Sequence, residues 1–546
     1  MRLPGRSWLS RRNDLTATVF TVAALSLLSR LLGVFRDRVL AGQFGAGDEL
    51  DVYYAAFRIP DLIYNIVIAG ALSAGFIPVF VAARERRGKD EHWAVANNII
   101  TVGAVAVSVI CLAMAVAAPW LIPLTVPGFP AQKTIAVVAL TRIMLLSPLL
   151  LGISGVVSGV IQVYRKFFIF GLAPVFYNVG IIVGALFLSP RFGLPGLAWG
   201  VIAGASLHLL VQLPTAYNLR WPFRLLWEPR NRDAHSIFRL MMPRSLTVSL
   251  SQLNLFLLTI LASLLSAGSL AIFNLASNLF MMPAALIGVS YAVVAFPSLA
   301  EQAAGGKSER FQSTVRQGMQ HLLLFAIPAT VLLLLLRAQL VRATLGAGAF
   351  DWADTVLTFQ TLQWLSLSLF AQIVYPFLIR TLFALRDTIT PLFSGLAATL
   401  VGVGTSLQLF DRYGVAGLAI GFSVGMIVNV ACLWFSLRWQ YGSFGEAMIV
   451  KMLAYLTPAG AVMAIVTQGT KVGVGVFLGT DTFLRIVAQG MSAALAGLAA
   501  YVAMFYLLRV PEMCFVAKQG VYRETTAALR LQVEREGLPD VDTPST

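Results

Sequence analysis

Long apolar stretches, separated by short polar segments, run along almost the whole of this 546-residue chain. A helix needs about 20 apolar residues to cross a bilayer. By that rule the pattern predicts fourteen membrane-spanning helices, near residues 15–42, 50–81, 95–120, 133–161, 168–189, 195–217, 237–264, 269–299, 318–340, 355–383, 389–410, 414–436, 449–469 and 484–508. The first stretch is far longer than the apolar core of a signal peptide, about 7–15 residues, so it predicts an uncleaved first helix.

The composition is that of an integral membrane protein. Hydrophobic residues make up 58% of the chain and charged residues 12%, whereas soluble chains carry about 25% charged residues. The predicted fold class is therefore all-α integral membrane. A net charge of +15 would favour a nucleic-acid partner in a soluble protein. Here the basic residues follow the loops between helices, and no nucleic acid is expected.

The loops alternate in charge along the chain. One alternating set of loops, together with both termini, holds 26 of the 40 Lys and Arg residues, and the opposite set holds seven. Cytoplasmic loops carry the excess of basic residues in membrane proteins. This pattern predicts a multi-pass membrane protein with both termini in the cytoplasm, which agrees with an even number of spans.

An internal repeat appears at an offset of 221 residues. The segment Gly196-Leu197-Ala198-Trp199-Gly200 recurs as Gly417-Leu418-Ala419-Ile420-Gly421. Looser pairs occur in the same order: Tyr164-Arg165 with Leu385-Arg386, Ala46-Gly47 with Ala267-Gly268, and Pro78 with Pro297. An offset across six spans preserves orientation, so the repeat predicts two parallel six-helix lobes related by an axis along the membrane normal. A substrate site is then expected between the lobes.

The predicted organisation has six parts. They are a cytoplasmic N-terminus at 1–14, an N-lobe at 15–217, a cytoplasmic linker at 218–236, a C-lobe at 237–436, two further helices at 437–508, and a cytoplasmic tail at 509–546. The tail alternates apolar and charged residues, which is typical of a short interfacial helix.

Seven charged residues lie inside or beside the first two predicted spans: Arg30, Arg36, Asp37, Arg38, Asp51, Arg58 and Asp61. A charge at bilayer depth costs roughly 2.5–3.5 kcal/mol on insertion scales, so it normally faces a partner or a water-filled cavity. The spacing places Arg and Asp on one stripe of each helix, and the two stripes could pair across a cleft. We interpret this as a polar path, which indicates a transporter.

Guanidinium groups make bidentate contacts to phosphate, so Arg30, Arg36 and Arg58 are candidates for binding an anionic substrate. Their acidic neighbours Asp37, Asp51 and Asp61 would balance these charges or carry a coupling ion. Two other interpretations remain open. The charged pairs could simply lock two helices together, with Arg38 reaching the interface, and Asp51 could serve only as a helix-start residue.

Further candidates lie in other spans. Arg142 stands about ten residues inside the fourth predicted span, and Arg165-Lys166 lies at a cytoplasmic turn where a phosphate would enter. Arg239 and Arg244 open the seventh span and are close enough to its end to reach the interface.

No residue pattern predicts an enzyme, a metal or a cofactor. The three cysteines and four histidines show no ligand or redox spacing. The G-x-x-x-x-G-K-[ST] phosphate-binding loop is missing, and no nucleophile stands at a recognisable spacing from a base.

Several motifs together resemble the MurJ (MviN) lipid II flippases of the MOP exporter superfamily, over nearly the whole chain. They are Ser29-Arg30-Leu31-Leu32-Gly33-Val34-Phe35-Arg36-Asp37, Phe44-Gly45-Ala46-Gly47, Asp51, Ala56-Phe57-Arg58-Ile59-Pro60, Gly70-Ala71-Leu72-Ser73, Phe76-Ile77-Pro78, Ala118-Pro119-Trp120, Pro127-Gly128-Phe129, Ala173-Pro174 with Asn178, and Arg386-Asp387-Thr388-Ile389-Thr390-Pro391.

The resemblance implies two six-helix lobes around a central cavity, with the two extra helices forming a groove for a lipid tail. It also implies that the chain lies in the bacterial plasma membrane and flips an undecaprenyl-pyrophosphate-linked peptidoglycan precursor, lipid II, from the inner to the outer leaflet by alternating access. Cavity arginines would bind the pyrophosphate, and an ion gradient or the membrane potential would drive transport. The implied partners are lipid II, membrane lipids and a coupling ion, and a monomer is expected.

This chain departs from the family pattern at several charged positions. The family's second-helix cavity arginine aligns with Tyr64, and an acid aligns with Ala69. In the eighth helix, the family's Asp-Arg pair and a following Glu align with Ser277-Asn278 and Met281. Either Arg58, Arg142 or Arg165-Lys166 compensates for the arginines missing at Tyr64 and Asn278 in the cavity, or the substrate differs from that of the family.

The function hypothesis is a lipid II flippase for cell-wall peptidoglycan synthesis. The alternatives are a flippase of the same superfamily for another polyprenyl-linked glycan, a multidrug exporter, and a non-transporting membrane scaffold in wall synthesis. An excess of basic over acidic cavity residues favours an anionic lipid over a cationic drug. A scaffold would give no reason for Arg30 and Arg36 to lie deep in the first helix.

Overall fold

The computed structural model describes residues 5–69, 75–86, 88–305, 309–479 and 481–508, and within these ranges the regular structure is helical. The first half contains α1 (Gly5–Phe44), α2 (Asp48–Ile63), α3 (Ile77–Arg86), α4 (Gly88–Thr125), α5 (Ala131–Met144), α6 (Leu146–Val163), α7 (Phe167–Val183), α8 (Ser189–Phe192), α9 (Leu194–Leu210) and α10 (Leu213–Asn218). The second half contains α11 (Arg232–Ser263), α12 (Ser269–Ala284), α13 (Ser290–Ala304), α14 (Glu309–Leu335), α15 (Arg337–Thr344), α16 (Trp352–Ser366), α17 (Leu369–Ala384), α18 (Ile389–Tyr413) and α19 (Val415–Tyr441). Two helices follow: α20 (Glu446–Leu478) and α21 (Phe483–Leu507).

The all-α membrane fold predicted from the apolar pattern is confirmed. Ten helical segments in the described ranges, several of them made of two successive helices, are long and apolar enough to cross a membrane, and α16 with α17, bent by 49°, makes an eleventh. The remaining three predicted spans correspond to α1, to α2 with α3, and to α11. Each of these carries several charged residues or falls partly outside the described residues, so the count of fourteen stays a prediction.

Backbone geometry repeats at the offset of 221 residues that the sequence shows. Helix α6 and helix α17 end in the same turn: the Lys166 amide donates to the Ile161 carbonyl (3.0 Å), and the Asp387 amide donates to the Leu382 carbonyl (2.9 Å). Arg165 and Arg386 in these turns both have positive φ, 58° and 61°. Since non-glycine residues seldom adopt this conformation, its recurrence at equivalent positions confirms the duplicated halves.

The second helix of each half is irregular at the same place. The chain forms a π-helical segment at Tyr64–Ala69 after α2 and another at Ala285–Val289 after α12. A proline inside each preceding helix, Pro60 or Pro283, removes one backbone hydrogen bond. Because π segments and prolines both bend helices, each half has a bent second helix next to the junction of the halves.

Small residues allow close helix packing at the repeated Gly-rich segment. A Cβ atom added at Gly196 would collide with the Leu188 carbonyl, and one at Gly417 would collide with the Leu409 carbonyl. The helices α7 and α9 in the first half and α18 and α19 in the second therefore approach with backbone against backbone, as small residues allow in membranes.

The bundle has two different ends, which we call the distal end and the basic end. The distal end contains the turns at 45–47, 126–130, 264–268 and 345–351. The basic end contains the turns at 164–166, 219–231, 385–388 and 442–445. Helices α20 and α21 pack on α14 and α15 of the second half.

Helix α11 connects the halves. It is continuous through the predicted boundary at 236 and 237 and packs on helices of both halves. The boundaries of the six predicted parts remain predictions. The tail at 509–546 lies outside the described residues.

Candidate functional site

A charged cluster lies where α1 and α2 meet α7 and α12. On α1, the Arg36 guanidinium holds one carboxylate oxygen of Asp37 through Nε (3.0 Å) and Nη2 (2.8 Å). The side chain of Arg36 is 23% exposed and that of Asp37 is 6% exposed. Each also reaches another helix: Arg36 donates to Asn178 of α7 (3.2 Å), and Asn278 of α12 donates to Asp37 (2.9 Å). Asp37 therefore links the two halves.

A second arginine contributes from α2. Arg58 donates through Nη2 to Oδ1 of Asn274 on α12 at 2.8 Å, while its Nε is buried without a hydrogen-bond partner. Asp61, three residues further along α2, is half-buried, and its carboxylate has no hydrogen-bond or ion-pair partner among the described residues. At 1.5 Å per residue, Arg36 lies about 12 Å inside the distal end of α1, and Arg58 about 15 Å inside that of α2.

The expected pairing of Arg and Asp across the two helices does not occur. The one ion pair of the cluster is Arg36 with Asp37, adjacent residues on the same helix. Contacts between helices run instead through three asparagines, Asn178, Asn274 and Asn278. An amide satisfies a charged side chain without adding a second charge to the low-dielectric interior, so it avoids part of the desolvation cost of a buried pair.

Sequence reasoning named Asn278 as a cavity position but missed Asn274 and the role of Asn178. A signal was present for Asn274, since it precedes Asn278 by four residues and so shares its helix face. Asn178 stands within an apolar span, where an amide must find a partner. It also donates to the carbonyls of Ser29 and Pro174 (3.3 and 3.1 Å).

Asp51 occupies a different place, at the distal end. It lies in the first turn of α2, but its carboxylate accepts hydrogen bonds from the amides of Gly268 and Ala271 at the start of α12 (2.8 and 2.9 Å). Lys133 of α5 completes the contact at 2.8 Å, with Asp51 only 2% exposed. The predicted helix-start role is thus real, but the capped helix belongs to the other half. A carboxylate is favourable there because free amides and the helix dipole meet it.

Further backbone contacts close the distal end. The Ala46 amide donates to Asp354 of the second half (2.9 Å), and the Ala349 amide donates to the Gly42 carbonyl (2.7 Å). Gly268 has φ +85°, and a Cβ atom there would collide with the Ala46 carbonyl. Among the described residues, the hydrogen bonds between the halves lie at this end or in the charged cluster, apart from one from Ser245 of α11 to Ile66.

Several predicted residues lie apart from the cluster. Arg142 is exposed, and its Nε donates to the Ala115 carbonyl of α4 at 2.9 Å, so no hydrogen bond joins it to Arg36 or Arg58. Arg165 and Lys166 are exposed in the turn before α7, at the basic end. The structure therefore does not bring these three residues together with the cluster.

Two other predicted residues lie on the helices of the cluster without joining it. Arg30 of α1 is exposed and has no hydrogen-bond partner among the described residues. Tyr64 is half-buried at the start of the π-helical segment. Arg38, for which reaching the interface was considered, instead donates to the Ala343 carbonyl at 2.8 Å.

The cluster of Arg36 and Arg58 with Asp37 and Asp61 has two positive and two negative side chains. The Arg58 guanidinium forms no ion pair with a described residue, and its Nε has no hydrogen-bond partner, so this side chain can still take up an anion. A second cavity, of about 310 Å³ between α11, α12, α17, α18 and α19, is lined by no charged residue that the structure describes. The charged cluster, and not this cavity, is arranged to attract an anion.

The duplicated halves and the charged cluster between them define a multi-pass membrane transporter. Solved structures agree on the fold. The lipid II flippase MurJ in an inward closed conformation superposes with a TM-score of 0.73 at 22% identity, covering 90% of this chain and 99% of that one. An inward-facing multidrug resistance MATE family transporter of the MOP superfamily superposes with a TM-score of 0.65 at 15% identity, covering 78% of this chain and 99% of that one.

Sequence comparisons define the family. The family model described as lipid II flippase MurJ matches residues 40–489. The lipid II flippase MurJ of Burkholderia cenocepacia is 29% identical over 436 residues, covering 78% of this chain and 84% of that protein. The probable lipid II flippase MurJ of Vibrio cholerae is 28% identical, covering 87% and 94%. The chain belongs to the MurJ family, as the motifs of its first two helices predicted.

Proposed function

We propose that this chain is a lipid II flippase that moves the undecaprenyl-pyrophosphate-linked peptidoglycan precursor from the inner to the outer leaflet. Family membership supports this, and it makes the protein a multi-pass inner-membrane transporter rather than a catalyst. The observation that carries the proposal is the cluster of Arg36, Asp37 and Arg58 at the junction of the halves. It places two guanidinium groups where a pyrophosphate has to cross, and that of Arg58 has no ion-pair partner among the described residues.

The basic end faces the cytoplasm in this proposal, with both termini on that side, because basic loops remain inside. The distal end then faces outward and is closed by Asp51 and the backbone contacts around it. A headgroup enters from the cytoplasmic side and meets Arg36. Its phosphate competes with Asp37 for the guanidinium, since both offer oxygen pairs to the same fork of donors.

Displacing Asp37 has a consequence for the halves. Asp37 also accepts the hydrogen bond from Asn278, so substrate binding alters a contact that joins α1 to α12. In this proposal the substrate binds the state with a closed distal end and the state with an open distal end with different energies. Substrate binding therefore shifts the equilibrium between these two states. Asp61, whose carboxylate has no partner in the described residues, is our candidate for the coupling ion. A monomer suffices, since all these groups come from one chain.

A flippase for another polyprenyl-linked glycan is the second candidate. The observation favouring it is that Tyr64 and Asn278 stand where relatives are expected to carry arginines, so this cluster has fewer cations. Such a substrate would share the pyrophosphate and differ in its sugars.

The test is rescue of a bacterium depleted of its own lipid II flippase. The readout is the amount of lipid-linked precursor in the outer leaflet, measured by its accessibility to a degrading enzyme added from outside. Wild type is expected to restore growth and accessibility. Arg36→Ala is expected to restore neither at an equal membrane level, because it removes the guanidinium that meets the phosphate.

Arg142→Ala is the matched control, since Arg142 is an intramembrane arginine outside the cluster, and it is expected to rescue. Failure of well-inserted wild type to rescue would overturn lipid II as substrate and favour the other glycan. Rescue by Arg36→Ala would overturn the role of the charged cluster.

A further inference from the structure

An apolar cavity of about 540 Å³ lies at the basic end of the first half, away from the charged cluster. Its walls come from α4, α6 and the start of α11, and include Ile99, Gly103, Val107, Ile153, Val156 and Phe238. His235 is the one ionisable residue among the described residues that line it. Phe238, at the edge, is 54% exposed, so the cavity opens onto the surface. An apolar cavity of about 150 Å³ already takes up benzene.

The linker segment 219–231 runs along α4 beside this cavity. Asn97 accepts from the Trp221 indole (2.8 Å) and donates to the Pro222 carbonyl (2.8 Å). Asn98 exchanges two hydrogen bonds with the backbone of Glu228, at 2.8 and 3.0 Å. The Leu226 amide also donates to the Thr101 hydroxyl (3.2 Å), so the segment is held against α4 at several points, and Pro229 at its end lines the cavity.

The linker segment exposes three large apolar side chains. Phe223, Leu225 and Trp227, at alternate positions, are 59%, 79% and 56% exposed. Tryptophan and other aromatic residues favour the membrane–water interface. The segment is therefore placed to lie at the lipid headgroup level with this apolar row in the bilayer.

Exposed arginines lie in and beside the linker segment and at the start of α11: Arg220, Arg224, Arg230, Arg232 and Arg239. None of them forms an ion pair with a described residue. Arg230 directly follows Pro229, and Arg239 directly follows Phe238, and both Pro229 and Phe238 line the cavity. The mouth of an apolar cavity at headgroup level thus carries unpaired guanidinium groups.

We propose that this cavity is a binding site for an anionic phospholipid of the leaflet at the basic end. One acyl chain occupies the cavity between α4, α6 and α11, and the phosphate meets Arg230 and Arg232. Basic sites between membrane helices on the cytoplasmic side hold anionic headgroups by the same chemistry. The bound lipid fills the space between the linker segment, α11 and the first half.

A phospholipid fits this site better than the tail of the transported lipid. The charged cluster proposed to hold the transported headgroup lies toward the distal end, whereas the cavity and its arginines lie at the basic end. A lipid whose phosphate stays with Arg230 and Arg232 is a resident lipid. The inference rests on the proposed orientation of the chain and not on what the chain transports.

The test measures lipid retained by the full chain after purification from vesicles of equal phosphatidylglycerol and phosphatidylcholine, by native mass spectrometry. Wild type is expected to retain one phosphatidylglycerol. Gly103→Leu is expected to lower the retained fraction about tenfold, because the new side chain displaces buried methylene groups. A Cβ atom at Gly103 meets no atom within 4 Å, so the substitution fits the empty cavity.

Gly404→Leu is the matched control, since a Cβ atom at Gly404 on α18 also meets no atom within 4 Å. It is expected to retain lipid like wild type. The double variant Arg230→Gln with Arg232→Gln is expected to lose the preference for phosphatidylglycerol, whereas Arg310→Gln with Arg386→Gln keeps it. Arg36→Ala is expected to retain the lipid, which separates this inference from the proposed transport site.

A benzophenone amino acid at Val102 provides a measurement that needs no cavity-filling variant. It is expected to cross-link phosphatidylglycerol above the bulk ratio, while the same group at the 62% exposed Val109 cross-links both lipids in that ratio. Absence of retained lipid in wild type, equal retention in Gly103→Leu, or preference for an added polyprenyl pyrophosphate over phosphatidylglycerol would each overturn the proposal.

Discussion

Asp51→Ala is expected to open the distal end of the protein. The carboxylate is 2% exposed and receives two backbone amides of α12 and the Lys133 ammonium. Breaking a buried ion pair by removing one partner costs about 3–5 kcal/mol. Since this contact joins the two halves, most of that cost falls on the state in which the distal end is closed. A shift of about 3 kcal/mol changes the closed-to-open ratio by about 150-fold.

The assay is amide hydrogen exchange of detergent-purified protein, followed by mass spectrometry of the peptide at 346–350. The Ala349 amide in that peptide donates to the Gly42 carbonyl at 2.7 Å and does not touch Asp51. If the distal end opens as a unit, its exchange rate in Asp51→Ala rises by up to about 150-fold. The amides of Gly268 and Ala271 are poor reporters, because they lose their acceptor in the variant whether or not the end opens.

Asp48→Ala is the control, because Asp48 pairs with the same Lys133 at 2.7 Å but is 67% exposed. Exposed pairs contribute about 0–1 kcal/mol, so exchange at 346–350 is expected to change by less than about fivefold. Faster exchange at 268–271 with no change at 346–350 in Asp51→Ala would refute the reasoning. Asp51 would then be a local helix cap and not a closure of the two halves.

Two further predictions concern single side chains. Asn278→Asp is expected to abolish transport, because it places a second carboxylate within hydrogen-bond distance of Asp37. Asn274→Asp is expected to be tolerated, because the new carboxylate faces Arg58. The rescue assay compares the two variants, and better rescue by Asn278→Asp than by Asn274→Asp would contradict this geometry. At the turn before α18, burial raises the pKa of Asp387, but hydrogen bonds from Thr390, Gln440 and the Ile389 amide outweigh it and hold that pKa below its ordinary value. The carboxylate then stabilises the fold above the unfolded pKa of about 3.9, and the effect is lost as pH falls through the folded pKa. Asp387→Ala is expected to lower the free energy of unfolding by about 1 kcal/mol at pH 7. The difference in stability between the variant and wild type should vanish in acid, which thermal unfolding at several pH values measures. A stability difference that does not depend on pH would contradict this prediction.

The sequence was informative about the fold because a bilayer dictates the length of apolar segments. The duplicated halves were also readable, since glycines that let helices approach and residues that end helices recur at one offset. Charges at membrane depth are rare enough to mark α1 and α2 directly. Arg36, Asp37 and Arg58 were found this way, and the structure brings them to the junction of the halves.

The partners of those charges could not be predicted in the same way. Asn178 and Asn274 are neutral amides and hardly change the hydropathy of their helices. Asp51 accepts hydrogen bonds from backbone amides of α12. Since nearly every residue has a backbone amide, the sequence does not show which amides are the donors. By its depth in the predicted span, Arg142 looked equivalent to Arg36. Which face of a helix meets its neighbours is decided by packing, however, and the depth of a residue does not reveal that face.

The repeat makes the uneven distribution of charge meaningful. Counting 221 residues on from Arg36, Asp37, Asp51, Arg58 and Asp61 gives Leu257, Leu258, Ile272, Leu279 and Met282. Two identical halves related by symmetry would make every contact twice, and they would therefore form two equal binding sites. Here one half carries the ions and the other supplies apolar surface and amides. The charged groups that could meet a headgroup therefore come from the first half alone, and changes there alter the charge of the site without altering the other half.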